Sequence, residues 1–354
     1  MDRMQNHYDS APGGSGTNGV GMMGFDDEFT DIVDYILRIT YRIWEGKQIG
    51  LCYDYYSDDC PVYTMAGITI GAEEVTQNTL TTLASFPDRT LVAENIIWGG
   101  NDTDGFHTSH LIRTSMTNLG SSDMGPATGH QATFFVIAHC IVKDNKIIEE
   151  WLVRDNYALT EQLGLDVHEI AAKKASEPPQ KRLDDWYKSE LNRVASTVTH
   201  ERQAFSEYSS QDSEGFIKAM MQNIWNARLI GDVFQSYSQD ALLHGSRNQT
   251  LKGHQQITAF YAQLIGTITQ LKFSFDYCCS IENDEGGTDV AVRWTIAGNH
   301  GGSGLYGEPT GIPLLLLGES QYRIIDGLIA EEWTVFDELS LLVQIYRAKL
   351  NVVD

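Results

Sequence analysis

The chain contains two copies of one sequence pattern, and this duplication limits its fold more than any other feature. The segment EEWLVRDNYALTEQ at residues 149–162 returns as EEWTVFDELSLLVQ at residues 331–344, an offset of 182. Near the start of each copy, an offset of 181 aligns Ile43-Trp44 with Ile224-Trp225. A repeated unit of about 135 residues is long enough for each copy to form a domain of its own.

The composition supports two folded domains and a separate leader. Hydrophobic residues make up 42% of the chain and aromatic residues 10%, which is enough for a buried core in each copy. We predict domains at residues 25–166 and 214–354, joined by a polar linker at 167–213 that contains Pro178-Pro179. Residues 1–24 are rich in Gly, Ser and Asn and are predicted to be a flexible leader rather than a signal peptide.

Each copy places helices before strands. Apolar residues recur at helical spacing over Phe25–Trp44 and Phe216–Ile230, and shorter helices are predicted after Gly71 and Gly253. The predicted strands are Leu91–Trp98, Thr108–Met116, Gln131–Lys143, Lys146–Arg154, Leu271–Ile281, Asp289–Ala297, Ile312–Ile325 and Leu328–Val335. Two-residue hairpin turns are predicted at Asp144-Asn145 and Asp326-Gly327. This order predicts an α+β fold in which helices cover one face of a curved antiparallel sheet.

The net charge excludes some classes of partner. The chain has 48 acidic and 25 basic residues, a formal charge of −23, and such a field repels phosphate groups. We therefore predict no nucleic-acid partner and no membrane partner, and no apolar run reaches the ~18 residues of a membrane span. The five cysteines include no CxxC pair, which favours reduced thiols and a cytoplasmic location.

The repeated strand ends on an aspartate in both copies. Side chains alternate along a strand, so Trp151, Val153 and Asp155 share one face. Apolar surface beside a carboxylate raises its pKa and suits it to proton transfer near neutral pH. The alternative is that Asp155 caps the following helix by accepting backbone N–H hydrogen bonds. Asp337 precedes a similar run, so the same two readings apply to it.

The E-E-W-x-V-x-D…Q ending, preceded by GPATG in one copy and GEPTG in the other, resembles the SnoaL-like polyketide cyclase family. The resemblance covers residues 25–166 and 214–350. It implies the nuclear transport factor 2 fold, here as two tandem cone-shaped, cystatin-like α+β barrels that each enclose a hydrophobic pocket. Cyclases of this family work without metal or cofactor. The resemblance assigns the acid/base role to Asp155 and Asp337.

The first copy is richer in histidine than the second. The second copy has Asp289, Ile312 and Gln321 where the first has His107, His130 and His139. A histidine on an apolar strand face, such as His139, is more often a core residue than a functional one. His107 and His110 could pair on a metal, but residues i and i+3 of a strand face opposite ways, so no metal site is predicted. Because histidine is the natural acid/base near pH 7, we predict the better-equipped pocket in the first copy.

The candidate site residues follow from these arguments. The predicted catalytic residues are Asp155, Asp337, His139 and His130, and the predicted substrate-binding residues are Trp151, Trp333, His107, His110, Arg113, Tyr63, His244 and His300.

The leading hypothesis is an enzyme that works without a cofactor on a small, largely apolar, carbonyl-bearing molecule. Asp155 would remove a proton next to the carbonyl, and a histidine, tyrosine or arginine would stabilise the enolate. Cyclisation, isomerisation and dehydration share this step. One alternative is a non-catalytic protein that binds a hydrophobic small ligand. Another is an epoxide-hydrolase-like activity, which needs an Asp–Arg–Asp set. The two copies are expected to pair as a pseudo-dimer within the chain, and a homo-oligomer is left open.

Overall fold

Each copy of the repeat belongs to its own unit of the structure. The computed structural model describes residues 22–204, 208–302 and 304–351, so the predicted leader lies outside the described residues except for its last three positions. Unit 1 comprises the described residues up to Asp166 together with Ile281–Asp284, and unit 2 begins at Val167 and comprises the rest. Within the described residues, no helix is long and apolar enough to cross a membrane.

In unit 1, short helices precede a long four-stranded meander. The helices are α1 (Ile32–Thr40), which continues as a π-helical turn (Tyr41–Glu45), a 3-10 turn (Ile49–Leu51), α2 (Cys52–Tyr55), α3 (Gly71–Ser85) and α4 (Asn156–Gln162). The strands are β1 (Pro61–Thr64), β2 (Gly67–Ile70), β3 (Thr90–Asn101), β4 (Gly105–Thr117), β5 (Gln131–Lys143) and β6 (Lys146–Arg154). The first helix begins later than predicted because the Asp31 side chain accepts from the Asp34 amide and sets its N-terminus.

Unit 2 repeats this order after two additional helices. Its helices are α5 (Val167–Ser176), α6 (Lys181–Thr197), α7 (Ser213–Met221) with a π-helical turn (Gln222–Asn226), a 3-10 turn (Ile230–Asp232), α8 (Val233–Ser236), α9 (Gly253–Thr267) and α10 (Glu338–Asn351). Its strands are β7 (Tyr237–Gly245), β8 (Gln249–Lys252), β9 (Ile268–Glu282), β10 (Thr288–His300), β11 (Pro313–Ile325) and β12 (Leu328–Phe336).

The two sheets have the same topology. In the described part of the chain each sheet has six strands, in the order β2-β1-β6-β5-β4-β3 and β8-β7-β12-β11-β10-β9. The four long strands of each unit form the predicted antiparallel meander. The added first strand runs parallel to the last one, β1 to β6 and β7 to β12, so each sheet is mixed rather than wholly antiparallel. The sequence prediction missed β1, β2, β7 and β8. Three of these, β1, β2 and β8, have four residues each, which is too short for a periodic pattern.

The predicted hairpin turns are present. Asp144 and Asn145 have φ values of 49° and 66°, and Asp326 and Gly327 have 50° and 80°. Positive φ at both central residues is what a tight hairpin between twisted strands requires, and Asp, Asn and Gly tolerate it best.

The region predicted as a linker contains both additional helices. Helix α6 encloses the predicted helical segment and packs on β10 and β11 of unit 2. Its Tyr187 hydroxyl donates to the Pro313 carbonyl at 2.9 Å, and its Arg193 forms a 2.9 Å ion pair with Asp276. These contacts explain why the helix groups with unit 2.

A repeated glutamine joins the last helix of each unit to the sheet. Gln162 accepts from the Thr133 amide and donates to the Thr133 carbonyl, each at 2.9 Å. Gln344 makes the same pair with Leu315, at 3.0 and 2.9 Å. In each unit, the glutamine amide thus bonds to the middle strand (β5 or β11) at a position that the last strand (β6 or β12) does not reach. The repeat conserves this residue at the offset of 182 because both sheets need that edge satisfied.

Gln344→Ala should lower the stability of unit 2 by about 2–4 kcal/mol, because it leaves two buried backbone groups without partners. Leu315 is fully buried, and the Tyr187 hydroxyl oxygen lies 2.9 Å from Gln344 Oε1. Urea unfolding followed by circular dichroism measures the change. The matched control is Gln255→Ala on the exposed face of α9, expected to stay within about 0.5 kcal/mol. Equal midpoints for the two variants would refute the edge role.

Candidate active site

The helices cover one face of each sheet, which we call the inner face. In unit 1 the apolar residues of α1 pack against Ile96, Phe106, Cys140 and Ile147. Strand register places Thr108, Cys140 and Glu150 in one row of this face, and His110, Ala138 and Leu152 in the next. The residues between them in sequence belong to the opposite, outer face.

Most of the predicted site residues of unit 1 lie on the outer face. His107 Nδ1 is 3.1 Å from His139 Nε2, and Trp151 stacks on Tyr63 with ring centroids 5.6 Å apart. Arg113 pairs with Glu94 at 2.5 Å. The sequence argument correctly grouped Trp151 with Val153, but this is the face away from the helices.

The corresponding residues of unit 2 form a similar outer-face group. His244 stacks on Trp333 at 5.5 Å, and its Nε2 lies 2.8 Å from Glu331. The Arg323 guanidinium lies over the Trp333 ring, 5.7 Å from the ring centroid. These contacts are a hydrogen bond between His244 and Glu331 and ring packing, all on the face away from the helices.

Both aspartates of the repeat lie at helix N-termini. Asp155 is 2% exposed, and its Oδ1 accepts from the Ala158 amide at 3.0 Å. Asp337 Oδ1 accepts from the Ser340 amide at 3.2 Å. This is the geometry of the capping alternative raised from the sequence.

The last two predicted histidines hold loop segments. His130 is exposed, and its Nδ1 lies 3.0 Å from the Leu163 carbonyl oxygen at the end of α4. His300 is fully buried, its Nδ1 is 3.0 Å from Thr310 Oγ1, and burial lowers its pKa. His130 thus joins the end of the loop between β4 and β5 to the end of α4, and His300 joins the two ends of the loop between β10 and β11.

The two histidines considered as a metal pair lie on different faces. His107 pairs in register with Ile141 and His110 with Ala138, so their side chains point to opposite sides of the sheet, as predicted. Among the described residues, no group of three His, Cys, Asp or Glu side chains is placed to hold a metal ion.

The inner face of unit 1 is open at its centre. Ala138, Leu152 and Arg154 are half-buried, although they lie in the middle strands beneath the helices. We call these three residues the open patch. In unit 2 the same positions are Ser320, Thr334 and Phe336, which are 1%, 2% and 1% exposed. The two copies of one fold therefore differ in whether solvent reaches the inner face.

Aromatic side chains fill the same region in unit 2. The Trp294 ring lies over Gly318 so closely that a Cβ atom there would be 2.1 Å from the ring. Trp225 stacks on Phe273 at 5.5 Å, and Phe336 lies 6.2 Å from Trp294. At the offset of 182, unit 1 has Ile112 for Trp294, Val136 for Gly318 and Arg154 for Phe336. Unit 1 therefore lacks the rings of Trp294 and Phe336, and Trp44, its counterpart of Trp225, is half-buried.

Two polar side chains beside the open patch lack partners. His110 is 3% exposed and Thr108 is fully buried, and neither His110 Nε2 nor Thr108 Oγ1 has a hydrogen-bond partner among the described residues. Burial lowers the pKa of His110 to about 3, so its imidazole is neutral at pH 7. Buried polar atoms are usually paired, so an unpaired one invites a ligand. Unit 2 has Val290 and Val292 at these positions.

A buried glutamate borders the patch on the other side. The Glu150 carboxylate accepts from the Tyr56 hydroxyl at 2.9 Å, which is its only hydrogen bond to a described residue. Burial raises its pKa above the ordinary glutamate value. Glu150 belongs to β6, and Tyr56 directly follows α2. Glu150 and His110 stand two strands apart, roughly 10 Å, with the small Ala138 between their strands.

The equivalent glutamate of unit 2 is surrounded by hydroxyl groups. Glu332 accepts from Tyr237 at 2.6 Å, from Tyr261 at 3.1 Å, and from Thr334. Burial raises its pKa as well. Tyr261 and Thr334 correspond to Thr79 and Leu152 in unit 1. A shared glutamate–tyrosine pair is thus embedded in a complete network in unit 2 and left at the border of an opening in unit 1.

Sequence reasoning named His110 but not Glu150, Thr108 or Arg154. The available signal was the repeated Glu-Glu pair at 149–150 and 331–332. Alternation separates the two glutamates onto two faces, but it does not say which face the helices cover.

Part of the chain matches a known protein family. The family model described as SnoaL-like polyketide cyclase matches residues 216–345. No curated protein sequence matches the chain.

Solved structures similar to this chain each align with about two fifths of it. A protein assigned as a SnoaL-like polyketide cyclase from Jannaschia sp. CCS1 is 20% identical over 41% of this chain and 97% of its own, with a TM-score of 0.35. IdmH from Streptomyces antibioticus, assigned as a polyketide cyclase, is 21% identical over 38% of this chain and 98% of its own, with a TM-score of 0.33.

The family match covers unit 2, and the sheet topology extends the comparison to unit 1. The matched residues run from helix α7 to helix α10, which is the whole of the repeated fold in unit 2. Unit 1 has the same strand order and the same repeated landmarks. The second unit therefore belongs to the SnoaL-like polyketide cyclase family, and the first unit repeats its fold within the same chain.

Proposed function

We propose that unit 1 is an enzyme that moves a proton on the carbon next to a carbonyl group, without a cofactor, in a small and largely apolar substrate. The observation that carries this proposal is the open patch, which unit 2 lacks. The patch would be the floor of a pocket for the substrate. Its apolar surroundings and few polar groups are typical of sites for small molecules.

Glu150 is the proposed proton acceptor. A carboxylate with a raised pKa is a stronger base than an ordinary glutamate. Its hydrogen bond from Tyr56 fixes one oxygen and leaves the other to face the substrate. The proton leaves the substrate carbon for Glu150, and the same carboxyl group can return it at another position or to a leaving group.

His110 and Thr108 are the proposed partners of the carbonyl oxygen. Removing the proton turns the carbonyl into an enolate, whose oxygen carries the new negative charge. A neutral imidazole N–H or a hydroxyl that already lies in a buried site stabilises this charge without reorganising. The absence of partners for His110 Nε2 and Thr108 Oγ1 among the described residues supports this role.

The proposal keeps the reaction type that the family resemblance implies but moves the proton transfer from Asp155 to Glu150. The support for this change is that Asp155 Oδ1 is engaged with the Ala158 amide. Asp155 would then hold the start of α4, the helix that Gln162 joins to the sheet edge.

The test is hydrogen–deuterium exchange next to the carbonyl of 2-tetralone, a small apolar ketone, followed by NMR in D₂O. The protein is expected to accelerate exchange above the buffer rate. Ala138→Phe should abolish the acceleration, because a phenyl ring would occupy the open patch. Ile148→Phe adds the same ring at an exposed site of β6 and should leave the rate within twofold. Equal rates for the two variants would contradict the proposed pocket.

A second candidate function is ligand binding without catalysis. The observation that favours it is that the glutamate–tyrosine pair also occurs in unit 2, where the inner face is filled and the pair serves the core. Under this alternative, 2-tetralone binds with measurable heat in calorimetry while its exchange stays at the buffer rate. That combination of results would replace the enzymatic proposal.

A further inference from the structure

Unit 1 buries an arginine without an acidic partner. Arg89 lies just before β3 and is 8% exposed, and its Nε donates to Thr114 Oγ1 at 3.3 Å. Among the described residues, no salt bridge joins Arg89 to a carboxylate. Thr114 faces the inner side of the sheet, one row beyond Ile112 and Arg154. The guanidinium therefore lies at one end of the inner face.

Further positive charge lies near this arginine. Burial and the neighbouring Arg154 lower the pKa of Arg89 to about 9, and Arg89 in turn helps to lower the pKa of Lys47. The carboxylates of this region are engaged elsewhere. Glu45 accepts from the Leu91 amide at 2.9 Å, and Asp88 holds the Thr117 amide and hydroxyl.

Unit 2 has apolar residues at both arginine positions. In unit 1 the Glu45 side chain accepts from the Leu91 amide, and in unit 2 the Asn226 side chain accepts from the Phe273 amide. These equivalent contacts align β3 with β9. In that alignment Leu271 stands for Arg89, and Phe336 stands for Arg154. Both arginines therefore occur only in the unit whose inner face is open.

A buried positive charge is costly unless an anion compensates it. We propose that the ligand of unit 1 carries a carboxylate group, which Arg89 binds at the end of the inner face away from Glu150. The inference rests on the proposed function, because it assumes the same pocket, and it narrows the substrate class to apolar keto acids.

The spacing of the rows supports this orientation. The Cα atoms of Glu150 and Arg154 are four residues apart on β6, roughly 13 Å along the strand, although the Arg154 charge still acts on the Glu150 carboxylate. Arg89 lies beside Thr114, one row farther from Glu150 than Arg154. A carboxylate at the arginine end would keep its charge away from the Glu150 carboxylate. A carbonyl group one row nearer, beside His110, would then lie between the two ends.

The test compares two probes that differ only in charge, 2-naphthoate and 2-naphthamide, by isothermal titration calorimetry. The wild-type protein is expected to bind naphthoate at least tenfold more tightly than naphthamide. Arg89→Met should reduce this ratio to below threefold, chiefly by weakening the binding of naphthoate. Arg89→Lys, which keeps the charge but not the planar fork, should give an intermediate ratio.

Arg182→Met is the matched control, because it removes the same charge from an exposed position of α6 and should leave the ratio at the wild-type value. A wild-type ratio near one would overturn the inference, and this measurement needs no variant to fold. So would a ratio that Arg182→Met lowers as much as Arg89→Met does. The ketone exchange experiment judges the proposed function separately, since 2-tetralone carries no acid group.

Discussion

Glu150→Gln is expected to lower kcat/KM for proton exchange on 2-tetralone by roughly 10²–10⁴-fold, the range that a positioned acid/base group contributes. Glutamine has nearly the same size and can still accept from the Tyr56 hydroxyl, whose bond to Glu150 is 2.9 Å. It cannot take a proton from carbon. Ligand binding should change little, so the loss should fall on kcat rather than KM.

The pH dependence of the same variant gives a second result. Burial raises the pKa of Glu150, so activity should rise with pH through an apparent pKa above 4.5, and Glu150→Gln should lose this limb. A raised folded-state pKa contributes stability below the unfolded-state value that is lost as pH rises through the folded-state value. At pH 7 the variant should therefore be at least as stable as wild type, which separates lost activity from unfolding.

Glu332→Gln is the matched control in unit 2. It makes the same chemical change at the same position of the repeat, but within a network of hydroxyl donors. Its exchange rate should remain within twofold of wild type, provided that near-UV circular dichroism shows a folded chain. Equal losses from the two variants would mean that the chemistry does not belong to unit 1, and a loss only from Glu332→Gln would assign it to unit 2.

Gly318→Ala is expected to destabilise unit 2 by about 3 kcal/mol, the upper end of what overpacking a core costs. The added Cβ would be 2.1 Å from Trp294 Cζ2. Trp294 is 1% exposed, and its Nε1 donates to Ser320 Oγ at 2.9 Å. The ring cannot move aside without losing that hydrogen bond and its stacking partners.

Urea unfolding of Gly318→Ala measures this loss, with Gly266→Ala in α9 as the control. A Cβ at Gly266 meets no atom within 4 Å, and alanine favours a helix over glycine by roughly 0.5–1 kcal/mol. The control should therefore be neutral or stabilising. Unchanged stability of Gly318→Ala would mean that the Trp294 ring does not fill the inner face of unit 2.

The sequence allowed most of the fold to be predicted because the repeat supplied two independent readings of one pattern. The meander strands, the turn at Asp144-Asn145 and the helix before each meander followed from periodicity and turn chemistry. Strands β1 and β2 did not, since they are four residues long. The parallel contacts of β1 with β6 and of β7 with β12 join segments that are distant in sequence.

The site was harder to predict than the fold. Both faces of β6 are apolar in part, with Trp151 and Val153 on one face and Leu152 on the other, so alternation alone could not identify the inner face. The resemblance drew attention to Asp155, whose carboxylate caps a helix. His110 was selected for its chemistry, but its importance depends on the small Ala138 beside it and on its lack of a partner among the described residues.

The filled interior of unit 2 has a consequence for how substitutions accumulate. Its inner face should reject changes in volume and accept loss of ionisable groups, because its tryptophan and phenylalanine rings are already in contact. Under the proposed function, the open patch of unit 1 imposes a different rule, in which Ala138 must stay small and the polar identity of Glu150 and His110 is constrained. The two copies of one scaffold are thus expected to tolerate different kinds of substitution.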